Sequence, residues 1–133
     1  MRVCLDTSAY SQFKRGDARV AEVLDRATGV GVPAVVLGEL GVGFRLGRRR
    51  HENERELAAF LAHPVVELLA VDDEVAGIYA DIVLDLRRAG TPVPANDIWI
   101  AATAARWGAP VLTFDVHFQA IARVGTVLLS ASP

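Results

Sequence analysis

The sequence predicts an α/β domain, a three-layer α/β/α sandwich built on a parallel five-stranded sheet, and three observations carry that expectation. Short β-favouring apolar runs alternate with longer stretches whose apolar residues recur at helical spacing. The resulting order, β-α-α-β-α-α-β-α-α-β-α-β, leaves at least one helix between every two strands, which implies parallel pairing with helices on both faces. The N-terminal run Arg2–Leu5 ends in Asp6, and Thr7 and Ser8 then turn the chain into a helical pattern. In an open parallel sheet the carboxyl ends of the strands border the crevice where ligands bind, so Asp6 is aimed at the expected functional edge.

The elements follow in order. Ser8 to Lys14 reads as a short helix stopped by Gly16, and Asp17 caps a second, with Val20, Val23 and Leu24 on one face, that ends near Gly29. Val30 to Ala34 is the second strand. Val35 to Leu46 is an apolar helical stretch with one acid, Glu39, at its centre. Arg48 to Ala62 is a charged amphipathic helix presenting Leu57, Phe60 and Leu61. Val65 to Val71, after Pro64, is the third strand. Asp72, Asp73 and Glu74 open a helix where the backbone dipole favours acids; it ends at Arg87-Arg88 before Gly90. After the rigid loop Pro92–Pro94, a helix runs from Asn96 to Trp107, halted by Gly108 and Pro110. Val111 to Thr113 is a short buried strand, Asp115 to Arg123 a short helix, and Thr126 to Leu129 the last strand.

The 133 residues are read as a single domain, 1–133, long enough to bury one substantial core. A hydrophobic share of 52% and a charged share of 23% are those of an ordinary globular protein. No apolar run approaches the roughly 18 residues of a membrane span, so no membrane partner is expected and the cytoplasm is the expected location. Cys4 is the only cysteine, which excludes an intrachain disulfide and reads as a small buried hydrophobe in the first strand. The net charge of −2 does not announce a nucleic-acid binder. The distribution of cations says more. Lys14 is the only lysine, and Arg45 precedes the run Arg48-Arg49-Arg50. Arginine suits phosphate because its planar fork donates two hydrogen bonds at once, although a solvated helix face explains such a run equally well.

Four carboxylates stand where this fold can gather them: Asp6 after the first strand, Glu39 in its apolar helix, Asp97 in the first turn of a helix, and Asp115 just past Thr113. Asp97 and Asp115 are also ordinary helix-start acids, and Asp6 is an ordinary turn acid. Glu39 is harder to explain away, since an ionised carboxylate in apolar surroundings needs a partner. Its neighbours Gly38, Gly41 and Gly43 each weaken a helix by up to about 1 kcal/mol relative to alanine, which points to close backbone approach of another element or subunit. Acids gathered within a few ångströms repel, and a divalent cation removes the conflict. An acid pocket of this kind suits Mg²⁺ or Mn²⁺ better than zinc. Such ions polarise a phosphodiester, lower the pKa of bound water and stabilise a leaving oxygen.

These residues resemble a known family. Leu5-Asp6-Thr7-Ser8, Gly38-Glu39-Leu40, Asn96-Asp97 with Ile100-Ala101-Ala102, and Leu112-Thr113-Phe114-Asp115 before His117-Phe118 look like the four acidic motifs of PIN domains. The likeness is greatest to the VapC-type toxins of bacterial toxin–antitoxin pairs, in matching order across essentially the whole chain. It implies an endoribonuclease that hydrolyses RNA phosphodiester bonds with one or two Mg²⁺ or Mn²⁺ ions. It also implies a homodimer, inhibited by a cognate antitoxin that inserts a segment into the groove at the acids. Asp6, Glu39, Asp97 and Asp115 match the family's metal-binding, catalytic acids. Thr113 matches a Ser or Thr that helps place a carboxylate or water. Some relatives carry a further acid where this chain has His117, so a fifth acidic ligand is absent.

Around these acids, Thr7 and Ser8 are candidates for positioning water or for capping the helix, and Asn96 for orienting Asp97 or capping. Lys14, Arg15, Arg45, Arg48, Arg49 and Arg50 are candidates for gripping the RNA backbone. His117 reads as a partly exposed structural histidine or a contact to phosphate, His51 and His63 as surface, and Trp99 and Trp107 as packing residues on one helical face. Two other functions compete. An aspartate-nucleophile phosphatase using Asp6 in the haloacid dehalogenase manner usually has a second Asp two residues on, where this chain has Ser8. A non-catalytic module that binds RNA or a partner through a metal-stabilised acidic pocket would need the same residues without the chemistry.

Overall fold

The computed structural model describes residues 1–130; the last three positions of the expected 1–133 domain lie outside the described residues. Five parallel strands form one sheet in the order β3-β2-β1-β4-β5, with β1 Arg2–Leu5, β2 Gly29–Pro33, β3 Val66–Leu69, β4 Val111–Thr113 and β5 Thr126–Leu128. Six helices connect them: α1 Thr7–Lys14, α2 Ala18–Arg26, α3 Ala34–Leu46, α4 Arg50–Leu61, α5 Asp73–Ala89 and α6 Ala95–Trp107. A 3₁₀ turn, Val116–Ala120, stands where the sequence suggested a helix over 115–123. Its residues have no long apolar face to bury, so a single turn anchored by the fully buried Phe118 suffices.

The strands are near-continuous apolar runs because both faces of the sheet are covered. Successive residues of β2 show the two covers. Val30 shares a cavity with Phe13 of α1, Leu24 of α2 and Phe60 of α4. Gly31, facing the opposite way, lies against α6: a Cβ built there would stand 2.8 Å from Trp107 and 2.6 Å from Leu69. Gly31 is therefore where the backbone is approached closely. Helix α5 packs on α6, with Tyr79 stacked on Trp99 at 3.8 Å between ring centroids. Both tryptophans thus pack within the fold, Trp107 also beneath the Arg2 guanidinium at 3.7 Å.

Several boundaries differ by a few residues from the sequence reading. The second strand closes at Pro33 rather than Ala34, since Ala34 is already helical after Pro33. The fourth helix begins at Arg50, after Arg49, and the third strand is limited to Val66–Leu69. Asp17 caps α2 through the Arg19 and Val20 N–H groups, and Asp72 caps α5 through that of Val75. Gly90 and Gly108 end α5 and α6 with φ of 67° and 80°, a left-handed conformation that favours glycine. At the α3 glycines the close approach expected of another element or subunit is not made by any element among the described residues. A Cβ at Gly38 or Gly43 would meet nothing within 4 Å, and one at Gly41 only the Arg45 guanidinium. Within the described residues no other element approaches that helix face. Cys4 is fully buried in β1. No helix among the described residues is long and apolar enough to cross a membrane.

Candidate functional site

The order β3-β2-β1-β4-β5 makes the chain leave β1 towards one side of the sheet and return on the other, so the crevice between the carboxyl ends of β1 and β4 is the topological switch point. Leu5 pairs with Leu112 there. Asp6 follows the first strand and Asp115 the fourth, which brings two acids 109 positions apart in sequence to one edge. The N-terminus of α6 supplies Asp97, and α3 supplies Glu39.

Asp6 is buried, 4% exposed, and its carboxylate is fully engaged. Oδ1 accepts the Ala9 N–H at 2.9 Å, capping α1. The Ser8 hydroxyl lies 2.8 and 2.9 Å from the two carboxylate oxygens, and the Thr113 hydroxyl donates to Oδ2. Each hydroxyl has one proton to give. Ser8 and Thr113 give theirs to Asp6 and then accept, Ser8 from the Phe114 N–H at 3.0 Å and Thr113 from the Asp115 N–H at 2.9 Å. These two side chains thereby lock the end of β4 to the end of β1. Neither Thr7 nor Ser8 caps the helix, because Asp6 already does. Burial pushes the Asp6 carboxyl above its ordinary range; the hydrogen bonds from Thr113, Ala9 and Ser8 oppose that rise, and the nearby Asp115 adds to it.

Glu39 is half-buried rather than sunk in apolar surroundings, and it has two partners. The Thr7 hydroxyl donates to Oε1 at 2.6 Å and the Asn96 amide to Oε2 at 3.3 Å. Asn96 therefore neither caps α6, whose cap is Pro94 without a side-chain bond, nor bonds Asp97; it ties α6 to α3. Asp97 is pushed up to about 6, first by burial and then by the negative charges of Asp115, Glu39 and Asp6, with His117 acting in the opposite sense. That all three acids act on Asp97 gathers the four carboxylates into one electrostatic unit. Asp115 caps the 3₁₀ turn through the His117 N–H at 2.9 Å.

His117, read from the sequence as a structural histidine or a contact to phosphate, stands instead among the acids. Its Nδ1 lies 3.0 Å from Asp115 Oδ1 and 3.6 Å from Asp97 Oδ2, with the side chain half exposed. The available signal was its place two residues after a strand-end acid. Arg19, paired with Asp17, stands over the Phe114 ring at 5.5 Å.

The donor set fits a hard divalent cation. It is mostly carboxylate oxygen, mutually repulsive when ionised, with one donor atom each from Asp97, Asp115 and His117 within 4.8 Å of one another. The basic candidates lie elsewhere. Lys14 and Arg15 sit at the far end of α1 from Asp6, about 12 Å along a helix of eight residues at 1.5 Å each. With Arg49 they line a polar cleft of about 380 Å³ between α1, α3 and α4. Lys14 pairs with Glu56 at 3.6 Å, Arg49 with Glu52, and Arg50 with Glu54 at 2.9 Å, while Arg45 donates to the Gly41 carbonyl. Arg15 and Arg48 are exposed. The arginine run is thus largely bound to acids of its own helix.

Comparison with known proteins gives a consistent answer. The family model described as PIN domain matches residues 3–124. Ribonuclease VapC5 of Mycobacterium tuberculosis (strain ATCC 25618 / H37Rv) is 35% identical over 118 residues, 88% of this chain and 85% of the relative. Ribonuclease VapC4 of the same organism is 36% identical over 99 residues, 74% and 76% of the two chains. In the crystal structure of VapBC-5, a member of the VapBC family of toxin-antitoxin systems from Mycobacterium tuberculosis, one chain superposes with a TM-score of 0.73 at 31% identity, covering 96% of this chain and 98% of that one. With the parallel sheet and the acids at its switch point, these similarities establish that the chain belongs to the PIN-domain family, among its VapC-type members.

Proposed function

We propose that this protein is a Mg²⁺- or Mn²⁺-dependent endoribonuclease that hydrolyses RNA phosphodiester bonds and acts as a toxin inhibited by a cognate antitoxin. The observation that carries the reading is the convergence of Asp6, Glu39, Asp97 and Asp115 from four separate parts of the chain, tied together through Thr113, Asn96 and His117 and near enough that the other three acids raise the Asp97 carboxyl. Carboxylates held this close resist full ionisation, and a bound cation removes that resistance. Held by Asp6, Glu39, Asp97 and Asp115, one or two such ions would supply Lewis-acid polarisation of a phosphodiester and stabilisation of its leaving oxygen.

The residues have distinct parts. Asp6, immobilised by three donors, is the rigid carboxylate against which the ion is positioned. Asp97 and Asp115 contribute the more accessible oxygens. Glu39, oriented by Thr7 and Asn96, closes the set from α3. Ser8 and Thr113 use their protons on Asp6 and act by positioning it. The cleft with Lys14, Arg15 and Arg49, together with Arg45, Arg48 and Arg50, grips the RNA backbone beyond the acids. An acidic centre repels a polyanion unless such a rim offsets it, so affinity falls as salt rises. The names of the two relatives as ribonucleases, and the VapBC toxin-antitoxin system to which the superposed structural neighbour belongs, support an RNA substrate and a protein antitoxin. We extend the reading to a homodimer in the cytoplasm.

The test is cleavage of a structured RNA panel by purified protein freed of co-purifying partners, with and without Mg²⁺ or Mn²⁺, beside Asp6→Asn. Cleavage that requires the ion and disappears in the variant is the expected result. RNA binding that persists in the variant, with no cleavage by the wild type, would identify a binding module instead.

A further inference from the structure

Family resemblance gives roles to the four acids but none to the histidine among them. The ring of His117 is presented by a short, pinned segment: its own N–H is bonded to Asp115, and Phe118 beside it is fully buried. Nδ1 stands 3.0 Å from Asp115 Oδ1 and 3.6 Å from Asp97 Oδ2, and donor atoms of the three residues lie within 4.8 Å of one another. Around an octahedral ion with bonds of about 2.1 Å, neighbouring donors are about 3.0 Å apart and opposite donors about 4.2 Å. The two separations from Nδ1, 3.0 and 3.6 Å, are near the spacing of neighbouring donors, and the full set of three lies within 4.8 Å.

We propose that His117 Nδ1 is a ligand of the cation held by Asp97 and Asp115, and that this nitrogen makes the site prefer Mn²⁺ to Mg²⁺. The inference rests on the cation-dependent nuclease reading above and deepens it. Mg²⁺ is hard, favours oxygen and keeps its waters, so an imidazole adds little to its binding. Imidazole suits first-row transition ions, and replacing an acid by histidine lowers the negative charge that favours Mg²⁺. The competing account is that the imidazole merely hydrogen-bonds to the two carboxylates and leaves when an ion enters.

The experiment uses the full chain stripped with chelator. Mn²⁺ binding is followed by loss of the free-ion EPR signal, Mg²⁺ by competition against Mn²⁺, and nitrogen coordination by pulsed EPR. Wild type should show a coupled imidazole nitrogen that responds to ¹⁵N-histidine labelling and vanishes in His117→Ala. The variant should bind Mn²⁺ about tenfold or more weakly, at least the loss typical of removing a ligand's supporting partner. Its Mg²⁺ affinity should change by less than about threefold, and His117→Asp should shift the preference back towards Mg²⁺. Mn²⁺ bound by wild type without nitrogen coupling, or an equal loss for both ions in His117→Ala, would overturn the assignment while leaving the nuclease reading intact. Wild type that binds neither ion at millimolar concentration would overturn both.

Discussion

Asp97→Asn should stabilise the metal-free protein, although it removes a residue assigned to the reaction. In the native state the Asp97 carboxyl is raised from 3.8 to about 6, by burial first and then by Asp115, Glu39 and Asp6. Between those values the folded chain holds a proton that the unfolded chain has released, so stability falls as pH rises through the window. Above it the loss from this group is complete, about 3 kcal/mol for a shift of about two pH units. Asparagine keeps the shape and never ionises. In chelator at pH 8, urea denaturation should therefore find the variant more stable by up to about 3 kcal/mol, the difference shrinking towards zero near pH 4. Saturating Mn²⁺ should narrow or reverse the order, since an ion at 100 times its Kd adds about 2.7 kcal/mol to a fold that binds it. The variant has lost one of the oxygens that would hold that ion. A variant less stable than wild type at pH 8 in chelator, or a difference that ignores pH, would refute the electrostatic reasoning.

Three further outcomes follow from the hydrogen bonds, the packing and the charges. Thr113→Val removes the hydroxyl shared by Asp6 and the Asp115 N–H; it should cost about 1.5–3 kcal/mol in thermal or urea unfolding, whereas Thr113→Ser should retain most of the stability. Gly31→Ala forces a Cβ to 2.6 Å from Leu69 and 2.8 Å from Trp107, so differential scanning calorimetry should register a destabilisation of about 1–3 kcal/mol with the site chemistry unchanged. Arg15→Ala and Arg48→Ala should weaken RNA binding without altering metal affinity, and each should make the slope of log K against log salt shallower by about 0.7 for every phosphate it leaves without a cation.

Much of the local structure is legible in the sequence because its causes are local. Asp17 and Asp72 announce their helices through donors two or three residues away, and Gly90 and Gly108 end theirs by backbone conformation alone. The alternation of apolar runs with helical spacing likewise fixes a parallel α/β sheet, because burial on both faces leaves few other ways to satisfy it. The places of the four acids, at strand tips or within helices, could be read off in the same way. Their meeting was expected only through the resemblance to PIN domains, because no local rule requires it.

That depends on β4 pairing with β1 and not with β3, a choice made by residues more than a hundred positions apart. For the same reason no local rule foretold that Thr7 would bond Glu39, that Asn96 would reach across to α3, or that Ser8 and Thr113 would join two strand ends around Asp6. A short hydroxyl or amide takes whichever charged partner lies within about 3 Å, and sequence distance says nothing about that. His117 shows the division plainly: its residue type was visible from the start, but its place between Asp97 and Asp115 was set only when the sheet brought its turn against the N-terminus of α6.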